Sequence, residues 1–276
     1  MTSLEDTTTL HNGVKMPWLG FGVWQITNGG EVTQAITTAL NTGYRSIDTA
    51  AAYGNEDGIG KALQNVGIPR RHLFITTKVW NADQGYESTL TAFNTSLKKL
   101  QLQYLDLYLI HWPVDGYLDT WRALETLYRE GRVRAIGVAN FQPEHLTNVM
   151  QHGHIKPMVN QIEFHPYFTQ ERLVEFCREN NIQVEAWSPL FRGGDLLTNP
   201  VVQDIAAQHQ KSPAQVILRW DLEQKVVTIP KSVHPERIEE NANIFGFHLT
   251  EEDITRLTAL NKGEKVFEYD PYHVTF

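Results

Sequence analysis

Four polar side chains fall at or just beyond the downstream ends of apolar runs. Asp48 lies near the end of Arg45–Thr49 with Tyr53 shortly after it, Lys78 lies near the end of Leu73–Val79, and His111 closes Leu105–His111. An acid, a phenol, an amine and an imidazole suit the delivery of a proton to an oxygen whose carbon is receiving electrons. Reduction of a carbonyl needs this: hydride at carbon, a proton at oxygen. A free tyrosine has a pKa of about 10 and is a poor acid at neutral pH. A neighbouring ammonium draws that value down by stabilising the phenolate, and a carboxylate beside the ammonium keeps it charged and in place. An imidazole can donate to the oxygen under attack and orient it. Lys78, Asp48 and His111 fit those three tasks around Tyr53 as the acid. Taken singly, each has a plainer reading: Asp48 as a helix cap, Lys78 as a solvated amine, Tyr53 as packing, His111 as a core histidine.

Whether the four meet depends on the elements that carry them. Eight short apolar runs punctuate the chain: Trp18–Gly22, Arg45–Thr49, Leu73–Val79, Leu105–His111, Arg134–Asn140, Met158–Glu163, Gln183–Ser188 and Val226–Lys231. Helix-like segments alternate with them: Glu31–Asn41, Asp57–Val66, Glu87–Leu100, Leu118–Glu130, Pro143–Met150, Gln170–Asn180, Pro213–Glu223 and Pro235–Asn241. Strand–helix alternation implies a parallel sheet under helices. Eight units closing on themselves make the α/β class (β/α)8 TIM barrel, with an open doubly wound sheet as the rival. A barrel gathers functional groups at the C-terminal ends of its strands, so the second, third and fourth runs would deliver all four residues to one mouth.

Two further helices exceed the eightfold count and read as decorations. One is Val201–His209, opened by Asn199-Pro200; the other runs from Thr250 to about Leu260. Ser212-Pro213-Ala214-Gln215 has the cap, the proline and the glutamine of a helix start. Leu10–Val14 reads as an N-terminal β-hairpin with a two-residue turn at Asn12-Gly13, suited to plug the barrel's closed end. The C-terminal tail after Lys262 carries Phe267, Tyr269, Tyr272, His273 and Phe276 without helical periodicity, and reads as a loop folded over apolar surface.

The 276 residues, 41% of them hydrophobic, can bury a core as one domain spanning 1–276. A net charge of −8 argues against a general nucleic-acid partner. No apolar stretch has the length to span a bilayer, and Met1–Leu10 does not resemble a secretory leader. Cys177 is the sole cysteine, which rules out an intrachain disulfide and fits a cytoplasmic protein. Glu163 with His165, and His152 with His154, lack a third ligand at metal-site spacing, so no metal is expected. Gly20-Phe21-Gly22 and Gly58-Ile59-Gly60 lack the third glycine of a dinucleotide-binding turn.

Longer motifs place the chain more sharply. Gly43-Tyr44-Arg45-Ser46-Ile47-Asp48-Thr49-Ala50, Thr76-Thr77-Lys78-Val79-Trp80, Leu105–Pro113, Asn160-Gln161-Ile162-Glu163, Trp187-Ser188-Pro189-Leu190 and Ile229–Val233 with Arg237 and Glu240-Asn241 occur in order. In these the chain resembles the aldo-keto reductase family over nearly its full length, most like its bacterial 2,5-diketo-D-gluconate and small-aldehyde reductases. The resemblance implies a catalytic tetrad at Asp48, Tyr53, Lys78 and His111. It implies an NADPH/NADP+ cofactor across the barrel mouth, along Gly22, Val23, Asp48, Ser188 and Leu190, with Asn140 and Gln161 on the carboxamide and Trp187 stacked on the nicotinamide. Lys231, Ser232, Val233, Arg237, Glu240 and Asn241 match the family's adenosine 2′-phosphate site, which implies NADPH in preference to NADH; Lys and Arg both suit a phosphate.

Trp24, Trp80, His111 and Trp112, with Val23, would line the substrate pocket, and a small-molecule aldehyde, α-dicarbonyl or keto sugar is the implied substrate. Many relatives carry a hydroxyl or thiol before the asparagine at 140; Ala139 departs from this and implies one hydrogen bond fewer to the carboxamide. The chain is expected to act as a monomer. Its rival reading is a non-catalytic, cofactor-sensing binding protein on the same scaffold, which an intact tetrad disfavours.

Overall fold

A computed structural model describes all 276 residues. After a two-stranded hairpin, β1 (Thr7–Thr9) and β2 (Lys15–Pro17), eight parallel strands follow in spatial order that equals chain order. They are β3 (Phe21–Gly22), β4 (Ser46–Asp48), β5 (Phe74–Val79), β6 (Leu105–Ile110), β7 (Val133–Ala139), β8 (Val159–Glu163), β9 (Gln183–Trp187) and β10 (Val227–Thr228). Unbroken sequential order excludes the doubly wound sheet, which would reverse direction partway. The ends meet: Gly20 N donates to Thr228 O at 2.9 Å, Thr228 N to Trp18 O at 3.1 Å, and Gly22 N to Pro230 O at 3.1 Å. The sheet is therefore a closed (β/α)8 barrel.

The closing strands are shorter than their apolar runs, Trp18–Gly22 and Val226–Lys231, predict. Pro230 has no N–H to give, so the ladder cannot run on through it. At this seam a Cβ on Gly22 would stand 2.8 Å from the Ile229 carbonyl oxygen, so only glycine lets the strands approach.

The outer helices follow the predicted alternation: α1 (Gly30–Thr42), α2 (Glu56–Asn65), α3 (Tyr86–Leu100), α4 (Tyr117–Arg129), α5 (Pro143–His152), α6 (Glu171–Glu179), α8 (Pro213–Glu223) and α9 (Pro235–Ala242). The two extra helices are α7 (Pro200–His209), between β9 and α8, and α10 (Glu251–Thr258). Their starts are chemically specified. Asn199 accepts from Val201 N at 2.9 Å ahead of α7, and Ser212 and Gln215 form a reciprocal capping box at α8.

The hairpin covers the N-terminal ends of the strands: Asn12 Nδ2 donates to Arg134 O, and Thr8 Oγ1 to Gln183 Oε1. Its turn differs from the two-residue form. Thr9 pairs with Lys15, Leu10 N donates to Val14 O, and Gly13 N donates to Leu10 O, leaving a three-residue loop with Gly13 at φ 88°. A type I turn closed by a left-handed glycine matches strand twist in this way.

Inside the barrel one layer is polar. Asp48 and Lys78, at or near the ends of β4 and β5, and Gln161 and Glu185, in the middle of β8 and β9, are all almost wholly buried. A continuous hydrophobic cluster fills the space between strands and helices, with Trp121 and Trp220 its largest fully buried members. No helix is long and apolar enough to cross a membrane.

Candidate active site

Lys78 is the hub of the polar layer. Its ammonium donates to Asp48 Oδ1 at 2.6 Å, to the Thr49 carbonyl at 2.9 Å and to Tyr53 Oη at 3.4 Å. Three donors meet three acceptors, so the ammonium is fully committed despite complete burial. Tyr53 rides a short 3₁₀ turn, Ala51–Tyr53, after β4, which Gly54 ends in the left-handed region at φ 67°. Its oxygen accepts from Lys78, which leaves its own hydrogen free for a partner in the cavity.

His111 follows β6 directly, its ring edge-on to both Tyr53, at 5.7 Å between centroids, and Trp80, at 5.2 Å. Burial, reinforced by the Lys78 charge, holds its imidazole well below the ordinary histidine range, so the ring is neutral. Burial would push the Lys78 ammonium down, but Asp48 and Tyr53 together hold it above its ordinary value. Sequence alone predicts that Lys78 lowers the Tyr53 pKa. Lys78 does pull in that direction, yet burial outweighs it and the phenol is held above its ordinary value. Asp48 adds to burial in the same sense, opposing the pull of Lys78.

Two residues escaped the sequence reading. Asn55 looks like the cap of α2 but caps nothing: its amide donates to the carbonyls of Val23 and Ile26 at 3.0 and 3.1 Å and accepts from Thr49 Oγ1. It ties the Trp24 loop to the segment carrying Tyr53. Glu185, mid-strand in β9, accepts from Gln161 Nε2 at 2.7 Å, and the same nitrogen donates to Asp48 Oδ2 at 2.8 Å. The only signal for Glu185 was a carboxylate inside an otherwise apolar strand.

A single cavity of about 1060 Å³ opens above this layer. Asp48, Tyr53, His111, Asn140, Gln161 and Trp187 line one end, and Lys231, Ser232, Val233, Arg237, Glu240 and Asn241 line the other. Gly22, Val23, Trp24, Trp80, Trp112, Ser188 and Leu190 complete the wall. Of the residues singled out from sequence, only Lys78 is absent from the wall, because it lies beneath Asp48 and Tyr53. Asn140 and Ser188 leave their strands in the left-handed region, at φ 64° and 51°. Asn140 donates to the His111 carbonyl at 3.0 Å and accepts from Trp187 Nε1 at 2.8 Å.

The tail crosses the mouth. Glu163 Oε1 accepts from Val266 N at 2.5 Å and faces His165 Nε2 at 3.0 Å, so this pair anchors the tail. Phe276 stacks on Trp80 and meets Trp112 edge-on, and Phe267 meets Trp24 edge-on. No cluster of three or more His, Cys, Asp or Glu is poised to hold a metal.

The donor chemistry fits a phosphorylated nicotinamide dinucleotide. Lys231 and Arg237 carry exposed cationic side chains with no carboxylate within ion-pair distance, next to the buried Ser232 and Asn241. Unpaired cations at one end suit a phosphate, and the amides and indole at the other suit a flat carboxamide ring. The volume slightly exceeds the ~300–1,000 Å³ usual for one small ligand, as a cofactor and a substrate together would need.

A closed (β/α)8 barrel with a buried Asp–Lys pair under a tyrosine and a histidine at its C-terminal mouth defines a class of barrel oxidoreductases. The chain belongs to the aldo/keto reductase family, whose model matches residues 18–262. It is 59% identical to the glyoxal reductase of Bacillus subtilis strain 168 over 96% of each chain. It is 46% identical to a methylglyoxal reductase of Escherichia coli K12, covering 93% of this chain and 94% of that one. A crystal structure of a Gox0644 mutant in complex with NADPH superposes at a TM-score of 0.92, with 42% identity over 98% of each chain.

Proposed function

We propose that this protein reduces small reactive aldehydes and α-dicarbonyls such as glyoxal and methylglyoxal to alcohols, with Tyr53 as the proton donor. As an aldo/keto reductase the chain is an NADP-dependent oxidoreductase, and its cofactor is NADPH/NADP+. Bound NADPH supplies the hydride. The observation that carries the reading is the saturated Lys78 ammonium, which turns the Tyr53 hydroxyl toward the cavity beside His111.

Each residue then has a task. Neutral His111 donates from a ring nitrogen to the carbonyl oxygen and fixes its direction. Tyr53 keeps its proton through the neutral range because burial holds its pKa up. It need not be a strong acid, since the alkoxide formed by hydride arrival is a far stronger base than a phenolate. Lys78 donates to the phenolate as it forms, and Asp48 holds Lys78. Gln161 has spent its amide nitrogen on Asp48 and Glu185, so it meets a carboxamide with its oxygen. Trp187, its indole N–H fixed by Asn140, offers its face to the nicotinamide ring. Trp24, Trp80 and Trp112 with the tail aromatics form a compact apolar pocket suited to short carbonyl compounds. Keto sugars such as 2,5-diketo-D-gluconate are the larger alternative.

The protein is proposed to act as a cytoplasmic monomer of one domain, 1–276. Loss of reduced-nicotinamide absorbance on mixing protein, NADPH and methylglyoxal tests the activity. Binding of NADPH without oxidation by any aldehyde would favour a cofactor-sensing role instead.

A further inference from the structure

We propose that Glu185 is a positioning residue that sets the pH response of Tyr53, carrying a proton in the working site and, once ionised, opposing formation of the phenolate. The inference rests on the reading of Tyr53 as the proton donor. It starts from connectivity. Glu185 Oε2 accepts from Gln161 Nε2 at 2.7 Å, Gln161 Nε2 donates to Asp48 Oδ2 at 2.8 Å, Asp48 Oδ1 accepts from Lys78 at 2.6 Å, and Lys78 donates to Tyr53 Oη at 3.4 Å. An unbroken line of hydrogen bonds thus joins Glu185 to the phenol.

The charges along this line do not balance if every acid ionises. Asp48 from β4 and Lys78 from β5 are the charged groups facing Glu185, with Tyr53 beyond them. β8 sets the uncharged Gln161 beside Glu185 in register, while its acid Glu163 stands opposite Trp187 and is held by Val266 N and His165, and β10 sets Val227 beside Glu185. One ammonium therefore stands against two carboxylates, and its three donors are already taken by Asp48, Thr49 and Tyr53. Glu185 is 1% exposed, so an ionised form would be a buried anion without a cation of its own. Burial first and the nearby Asp48 second push its carboxyl up to about 8. A carboxyl in that range changes charge between neutral and mildly alkaline pH. Its anion raises the Tyr53 pKa through space, in the same sense as Asp48 does.

Alcohol oxidation with NADP+ tests this, because that direction uses the Tyr53 phenolate as base. Its kcat/KM rises with pH up to the Tyr53 pKa. Glu185→Gln keeps an acceptor for Gln161 and removes the ionisation. The inflection is expected to move down by roughly one pH unit, the effect of removing one nearby anion. A purely structural Glu185 would change stability or KM and leave the inflection in place, so superimposable pH profiles would overturn the proposal.

Infrared spectroscopy gives a readout that needs no turnover. Buried protonated carboxyls carry an acid carbonyl band, and the Glu185 part of it should vanish as pH is raised through about 8. Glu56 and Asp221 are the other buried carboxyls held above their ordinary values. Glu56→Gln and Asp221→Asn should leave the titrating band intact, which assigns it even if Glu185→Gln fails to fold. Absence of any titrating band overturns the proposal even where aldehydes are turned over. A titrating band with no aldehyde turnover overturns the functional reading alone.

Discussion

Lys78 Nζ stands 2.6 Å from Asp48 Oδ1, and both side chains are almost entirely withdrawn from solvent. Neither charge is tolerable alone at that depth, since removing one member of a buried pair strands the other. Lys78→Met is expected to lower unfolding stability by about 3–5 kcal/mol. Asp48→Asn combined with Lys78→Met should recover a large part of that loss, because no charge is then left unpaired. Urea unfolding of the two variants measures both numbers. A wild-type midpoint for Lys78→Met would mean the ion pair does not form.

The Tyr53 oxygen accepts from Lys78, and its own proton has no acceptor within the protein at a cavity wall it shares with His111. Tyr53→Phe should reduce aldehyde turnover by about 10²–10⁴-fold, the usual contribution of a positioned acid. NADPH binding, followed by fluorescence, should be preserved, since the lost hydroxyl bonds Lys78 and is proposed to meet the substrate and not the cofactor. Turnover within a few-fold of wild type would remove Tyr53 from its role.

The neutrality of His111 has a consequence for acid stability. Its folded pKa is depressed by burial and by Lys78, so the unfolded chain binds that proton more readily. Such a group contributes stability above its unfolded pKa of about 6.5 and withdraws it as pH falls below that value. His111→Gln should therefore unfold with a shallower loss of stability between pH 6.5 and 5 than the wild type does. Ring resonances of His111 should also show no titration step near neutral pH, and a step there would contradict the neutral-donor role.

Lys231 and Arg237 face the far end of the cavity without carboxylate partners. A charge-assisted hydrogen bond to a phosphate contributes about 1.5–3 kcal/mol. Arg237→Ala should weaken NADPH binding by roughly 10–100-fold on that basis. NADH lacks the 2′-phosphate, so its affinity should change little. Equal losses for the two cofactors would show that Arg237 acts on something they share.

Much of this arrangement could be read from the chain because barrel strands and their ends follow local rules. Asp48, Lys78 and His111 each sit at a fixed place relative to an apolar run, and the register of the barrel does the rest. The closing strands were harder, because Pro230 truncates a ladder whose hydrophobic run continues. The hairpin loop was misjudged by one residue, since Asn-Gly serves two-residue and three-residue turns alike. Glu185 and Asn55 were invisible as site residues. Glu185 reaches Asp48 through Gln161, which lies 113 positions from Asp48, and Asn55 holds the Val23 carbonyl 32 positions away; no local pattern encodes such contacts. The raised pKa of Tyr53 was likewise out of reach, because it depends first on how deeply the phenol is buried and then on the balance of Lys78 against Asp48.

Ala139 stands in register with Gln161, directly before Asn140, and is buried. Donors for a carboxamide oxygen are scarce at this point. The Gln161 nitrogen serves Asp48 and Glu185, and the Asn140 nitrogen already serves the His111 carbonyl. Ala139→Ser would add a hydroxyl donor next to both amides. A net hydrogen bond contributes about 1 kcal/mol, so the NADPH Kd should fall roughly fivefold. NADH should gain by the same factor, because both cofactors carry the carboxamide, and this separates the effect from that of Arg237. Fluorescence titrations of the variant with each cofactor decide the matter: unchanged affinities would show that the carboxamide gains no hydrogen bond from position 139.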